Sequence, residues 1–283
     1  MADPRPARRE RLVAALASAG IDVLLVTHIP NIRWLTGFTG SAGVLLATAE
    51  RLTMVTDFRY ATQAPAEVGN AADVVIELNS VWTRIRGLLD RLGGRLGYES
   101  HILPVRDADR IVGRAGEAVG TVELVESLRE SKDAGEVESI RLAGVLALDA
   151  LGAVLPTIRA GERELDVAAR LEFELRRRGS ERHPFETILA SGPRSALPHA
   201  RTSTRVIESG EFLLIDFGAT VDGYCSDVTR TVVIGRADSR QRSIYQLVRE
   251  AHDQAVTGLR AGMIGRDGDA LALEQGAQAG ADQ

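Results

Sequence analysis

The sequence predicts a mixed α/β (α+β) protein of two domains, an N-terminal α/β domain followed by a domain organised around an antiparallel hairpin. Three observations predict it. Residues Pro6–Ser18 carry the apolar spacing of an amphipathic helix, stop at Gly20, and lead into the largely apolar strand Ile21–Val26, a helix-to-strand unit. Far downstream, Phe212–Ala219 and Tyr224–Ile234 are β-rich runs on either side of the turn signal Val221-Asp222-Gly223. Between them lies enough chain for two cores, because 283 residues at 45% hydrophobic and 26% charged is ordinary globular composition.

Taken in order, the segment from Asn31 to Gly43 reads as a glycine-punctuated loop, followed by strands at Val44–Ala47, Leu52–Thr56 and Asp73–Leu78. A helix over Val81–Leu92 and a strand near Arg95–Tyr98 complete the first domain. Asp57, Arg59 and Tyr60 follow a strand directly, where an Asp–Arg pair reads as a structural tie. The domain boundary falls near Glu126–Asp133, dividing the chain into 1–128 and 129–283. A helix begins near Ala134, and a second, Glu162–Arg178, ends at Gly179 with Arg176, Arg177 and Arg178 in its last turn, complementing the helix dipole. The tetrapeptide Ile158-Arg-Ala-Gly161 recurs as Leu259-Arg-Ala-Gly262, each copy between two helical segments, and the second copy runs into a low-complexity tail from Ala272 without strand character.

The hairpin holds the chemistry. Asp216 and Asp227 are acids inside segments that otherwise read as buried strand, and an ionised carboxylate there is costly unless a cation meets it. If Thr220 pairs with Gly223, the two acids lie directly opposite; if Asp222-Gly223 forms the turn, they are diagonal neighbours on one face. Two oxygen ligands on adjacent strands suit a divalent ion. Spacing alone leaves the structural alternative open, in which the acids pair with Arg230 or stay solvated. The triplet Asp216-Phe217-Gly218 matches a kinase magnesium motif, but the upstream chain lacks the glycine-rich phosphate loop, the strand lysine and the catalytic loop that would accompany it. His199 follows Pro198 in a loop rich in special backbone residues, where imidazole can shuttle a proton or donate to a carbonyl; the alternative is a surface histidine in a turn. His28, His101, His183 and His252 have no comparable setting.

Net charge of -5 gives no reason to expect nucleic acid as a partner. The single cysteine, Cys225, excludes an intrachain disulfide and reads as a small core side chain. No signal-peptide pattern is present and no apolar run is expected to approach membrane-spanning length, so the expectation is a cytoplasmic protein without membrane contact.

Together these residues resemble the creatinase/prolidase/aminopeptidase P family of pita-bread metallopeptidases. Arg8–Val68 is similar to the family's N-terminal domain through NIRWLTGFTGSAGVL and TDFRY, Leu128–Ile140 to its linker, and Phe185–Val233 to its catalytic core through FETILASGPRSALPHA and IDFGATVDGYCSDVTRTVVIG. The resemblance implies that Asp216 binds one of two metal ions, that Asp227 bridges both, and that His199 contacts the scissile peptide. It further implies two divalent ions, commonly manganese with cobalt or zinc as alternatives, a bridging hydroxide, hydrolysis of Xaa-Pro bonds in proline-containing peptides, and an N-terminal domain that shapes the pocket and supports a homodimer.

The family completes its metal site with a histidine in an HGxGH-like segment and two later glutamates. After Asp227 this chain offers His252, Glu250 and Glu274, none in that pattern, so three of the five expected ligands are missing. From about Met263 the family-like sequence gives way to what reads as a shortened or frame-shifted end. The expectation is an incomplete catalytic domain, inactive or nearly so on its own, with exposed strand edges and apolar helix faces. A non-catalytic peptide-binding protein and a creatinase-like C–N hydrolase are the alternative functions.

Overall fold

The computed structural model describes residues 3–111 and 117–281, with the side chains of 274–281 excepted. The chain forms two compact units, Met1–Val137 and Glu138–Gln283.

In the first unit, α1 (Arg5–Ala19) ends at Gly20, whose φ of 62° a side chain would disfavour, and buries Leu12 and Leu16. After β1 (Val23–Val26) comes α2 (Ile29–Thr36), where the sequence suggested only a loop. Pro30 sits in the first turn, where its missing N–H costs nothing, Gly37 closes the last turn at φ 84°, and Ile32, Trp34 and Leu35 are buried. Burial of that short apolar face overrides the glycine-rich local pattern. The unit continues through β2 (Val44–Thr48), β3 (Leu52–Asp57), α3 (Gln63–Val68), β4 (Asp73–Glu77), α4 (Val81–Leu92), β5 (Leu96–Glu99), α5 (Val105–Ala108), β6 (Ala118–Thr121) and α6 (Leu124–Glu130). The elements α3, α5 and β6 are too short or too polar to show a period of their own.

These strands form one sheet in the order β4-β3-β2-β1-β5-β6. Its two faces bury alternate residues. Leu24, Val26, Leu45 and Met54 pack with Leu12, Leu16 and Leu35, while Val23, Leu25, Leu46 and Val55 pack with Ile85 and Leu89 of α4. Asp57 and Arg59 make the expected structural tie, the guanidinium reaching both carboxylate oxygens at 2.9 and 2.7 Å.

The second unit takes in most of α7 (Ala134–Val154), then α8 (Glu164–Arg177), β7 (Ile188–Ser191), β8 (Phe212–Phe217), the short ribbon β9 (Thr220–Val221) and β10 (Tyr224–Cys225), β11 (Val228–Val233), α9 (Ser239–Gly258) and α10 (Gly265–Ala281). Strands β11-β8-β7 form an antiparallel sheet. One face is covered: Leu213, Ile215 and Phe217 of β8 pack with Leu151 and Val154 of α7 and Leu171 and Leu175 of α8. The three arginines ending α8 are tied locally, Arg176 to the Ser180 carbonyl and Arg177 and Arg178 to Glu174. The repeated glycines play the same part in both helix pairs, Gly161 at φ 95° and Gly262 at φ 88° turning the chain between helices.

Two expectations fail here. Ala134–Thr157 is long and apolar enough to cross a membrane by length and composition, with a window hydropathy of 1.6. Its charges, Glu136, Glu138 and Arg141, are concentrated in the first turns and leave Asp149 alone in the rest. Ala143, Ala147, Ala150 and Leu151 of this helix are buried within the protein, whereas Leu142, Val145 and Leu148 are exposed. Exposed apolar side chains also line α9, at Tyr245, Val248 and Val256. Cys225, expected in the core, is exposed, because the two-residue ribbon β9/β10 is too short to be covered on both faces.

Candidate functional site

The hairpin turn decides the geometry. Asp222 and Gly223 both adopt positive φ, 51° and 79°, the type I′ pattern that matches strand twist, and Val221 pairs with Tyr224 and Thr220 with Cys225. The same register continues into β8/β11, where Phe217 faces Val228 and Asp216 faces Thr229. Asp227 is therefore diagonal to Asp216 on the same face, the second of the two sequence alternatives. Counting back along this register puts Gly218 opposite Asp227. A Cβ at Gly218 would lie 2.1 Å from the Ser226 carbonyl oxygen and 2.6 Å from Cγ of Pro184, so only glycine permits the backbone approach that precedes Asp227.

The face carrying the acids is the one opposite the helices. Asp216 lies between the buried residues Ile215 and Phe217 and is itself half-buried, while Asp227 is exposed. Thr229 is the cross-strand neighbour of Asp216. The oxygen Oδ1 of Asp216 is buried with no hydrogen-bond partner among the described residues. Arg230 does not neutralise the pair, since it sits opposite Ile215 on the other face and donates to the Thr229 carbonyl. Burial pushes the Asp216 carboxyl up, Thr229 opposes this, and the charge of Asp227 adds to the rise. Two carboxylates sharing one face, one of them with a buried unsatisfied oxygen, are a donor set whose chemistry fits a divalent cation. Among the described residues no third His, Cys, Asp or Glu joins them in a metal-holding group.

A pH prediction follows from that shift. For an acid whose folded pKa is raised, ionisation costs stability; the cost is absent below the ordinary value of 3.8 and complete above the folded value. Asp216→Asn is therefore expected to raise the thermal midpoint of the metal-free protein at pH 7, with the gain disappearing as pH falls through the carboxylate range. Paired melting curves across pH 3 to 7 check it, and a gain independent of pH would remove the repulsion from the account.

His199 lies in an exposed turn after the short helical segment Gly192–Ala196. It shares no hydrogen bond or ion pair with Asp216 or Asp227 among the described residues. Its loop nevertheless returns beside them: Thr202 Oγ1 donates to the Thr187 carbonyl at 2.7 Å and accepts from Leu189 N at 2.9 Å, flanking Ile188, which pairs with Asp216. Of the other histidines, His28 and His101 approach Glu126 Oε1 at 3.2 and 3.4 Å in the first unit, and His252 meets Asp253 on an exposed stretch of α9.

Sequence reasoning missed Thr229 and Glu164. The first was legible, since period-2 alternation puts Thr229 on the face of Asp227. The second was not: an acid opening a helix looks like a dipole partner, whereas Glu164 is fully buried and receives hydrogen bonds from Ser191 and Ser203. Burial opposes its ionisation, but the Ser203 and Ser191 donors and Arg194 outweigh it and hold the carboxyl below its usual range.

The profile of metallopeptidase family M24 matches residues 138–282, and that of the creatinase/prolidase N-terminal domain matches residues 8–131. The chain is 36% identical over 266 residues to the peptidase YqhT of Bacillus subtilis, covering 93% of this chain and 75% of that protein. It is 30% identical over 267 residues to an Xaa-Pro dipeptidase of Pyrococcus horikoshii, covering 93% and 74%. Among solved structures, an Xaa-Pro dipeptidase from Bacillus anthracis superposes with a TM-score of 0.93 at 36% identity, over 98% of this chain and 78% of that one. The N-terminal unit is thus creatinase-like and the second has the pita-bread architecture.

Proposed function

Because the chain belongs to the creatinase/prolidase/aminopeptidase P family of metallopeptidases, we propose that Asp216 and Asp227 hold divalent metal for hydrolysis of Xaa-Pro peptide bonds. The observation that carries this reading is the buried, unpartnered Oδ1 of Asp216 beside a second carboxylate, with no ion pair to either acid among the described residues. Manganese is the expected ion, and oxygen-only donors also admit cobalt or zinc. When bound, the metal supplies an activated water at neutral pH. The residues of this chain would do the rest: Thr229 flanks Asp216 across the strand pair, Asp227 shares its face, and His199, on the loop that returns beside Asp216, is the proposed donor to the peptide or its leaving group.

Two carboxylates hold one ion weakly. The chain by itself is therefore expected to turn over Xaa-Pro peptides at or near background. The assay supplies manganese with an Xaa-Pro dipeptide, a longer Xaa-Pro peptide and creatine. Manganese-dependent cleavage that Asp227→Ala abolishes would overturn the low-activity expectation while supporting the substrate class. Binding tests the substrate class separately. The zinc-loaded protein, whose ion is diamagnetic, should show resonance shifts at His199 with Xaa-Pro dipeptides and none with creatine; the reverse would favour a creatinase-like C–N hydrolase.

A further inference from the structure

We propose that Glu164 is a positioning residue for His199, acting through a clasp that closes the loop on which His199 is carried. This rests on the reading of His199 and the carboxylate pair given above.

Glu164 opens α8 and has no solvent exposure. Its two oxygens hold the two ends of one excursion of the chain. Oε1 accepts from the backbone N–H and the hydroxyl of Ser191, both at 2.8 Å, where β7 ends. Oε2 accepts from the backbone N–H of Ser203 at 3.0 Å and its hydroxyl at 2.7 Å, where the chain returns. Arg194, inside the excursion, donates to Glu164 Oε2 and to the Arg201 carbonyl, and to Ser203 Oγ at 2.8 Å. Both ends of the span from Ser191 to Ser203, and Arg194 within it, meet at this one carboxylate.

His199 lies within that span and makes no hydrogen bond of its own among the described residues. Its placement therefore comes from the frame. The carbonyl of Arg201 is held by Arg194, and Thr202 is held on either side of Ile188, the cross-strand partner of Asp216. The clasp brings the return arm to the level of the carboxylate pair. An ionised acid is a costly way to fill a buried position, where an apolar side chain often gives equal stability. What the carboxylate supplies instead is direction, with separate donors aimed at separate oxygens.

The experiment uses the full chain with isotope-labelled histidine and manganese as a paramagnetic probe, the ring signal of His199 being assigned by its loss in His199→Gln. In the unaltered protein manganese should broaden His199 more than His28, His101, His183 or His252. In Glu164→Gln, which turns an acceptor into an amide against Arg194 and Ser203, that broadening should be lost while the manganese-induced rise in unfolding midpoint persists. Arg194→Gln removes the clasp from its solvent side and decides the question should Glu164→Gln not fold. Undiminished broadening in both folded variants, or in Arg194→Gln alone if Glu164→Gln does not fold, overturns the positioning role and leaves the metal site standing. Unaltered protein that binds manganese without broadening His199 overturns the role of His199 and this inference together, and protein that binds no manganese overturns the site itself.

Discussion

Manganese is expected to raise the unfolding midpoint of the second unit, and Asp227→Ala to abolish the rise. The expected effect follows from mass action: a ligand bound only by the folded state at ten times its dissociation constant stabilises by about 1.4 kcal/mol, and at a hundred times by about 2.7 kcal/mol. For a domain of this size that is roughly 3 to 10 °C. The acids contribute in two ways. In the proposed site they would supply the oxygens, and without an ion they repel each other, which burial of Asp216 aggravates. Asp227→Ala removes a ligand and the repulsion together. Its metal-free midpoint should therefore equal or exceed that of the unaltered protein while losing its response to manganese. A variant that merely damaged the hairpin would show a lower midpoint at every metal concentration. Calorimetry with and without manganese separates the two, and a retained shift in Asp227→Ala would remove Asp227 from the site.

Glu99→Ala is expected to unfold the first unit at much lower urea. Glu99 closes β5 with 2% of its surface exposed. Its Oε2 accepts from Thr27 N at 2.7 Å, Thr27 Oγ1 at 3.1 Å and His28 N at 2.8 Å, and its Oε1 accepts from Asn31 Nδ2 at 2.7 Å. His28 is the N-cap of α2 without a side-chain cap of its own, so Glu99 supplies from another strand the negative charge that the helix start favours. Truncation leaves the part-buried donors of Thr27 and His28 unmatched at once and strips Asn31 of one of its two acceptors, an expected loss of about 3–5 kcal/mol at roughly 1–3 kcal/mol per unmatched group. Glu99→Gln keeps one good acceptor and should cost about 1–3 kcal/mol. The measurement is simple because both tryptophans, Trp34 and Trp82, belong to the first unit, so their fluorescence follows that unit. A change within about 0.5 kcal/mol would place Glu99 among ordinary surface positions.

Glu99 and Asp216 show where sequence reading works and where it stops. That Asp216 and Asp227 share a face was legible because it depends on a turn a few residues away. Asp222-Gly223 tolerates positive φ at both positions, that selects the turn type, the turn type selects the register, and the register selects the face. The helices α1, α4 and α8 were legible for the same reason, since each writes its period and its stop into one continuous stretch. The helix α2 was not, because its glycine-rich surroundings argued for a loop and only burial of Ile32, Trp34 and Leu35 made it helical. Cys225 was misplaced because alternation gives the side of a ribbon but says nothing of what covers it.

The sequence by itself determined the two-domain α/β class, the shared face of the two acids in either of two hairpin registers and, through extended motifs, the family; the structure chose the register. The tertiary structure alone decided that Arg230 turns away from those acids, that one oxygen of Asp216 is left without a donor, and that Glu99 and Glu164 organise distant segments. The physical reason is range. A turn or a helical period is set by neighbours along the chain, whereas the partners of a buried carboxylate are set by which strands and loops converge on it, and no local pattern encodes that convergence.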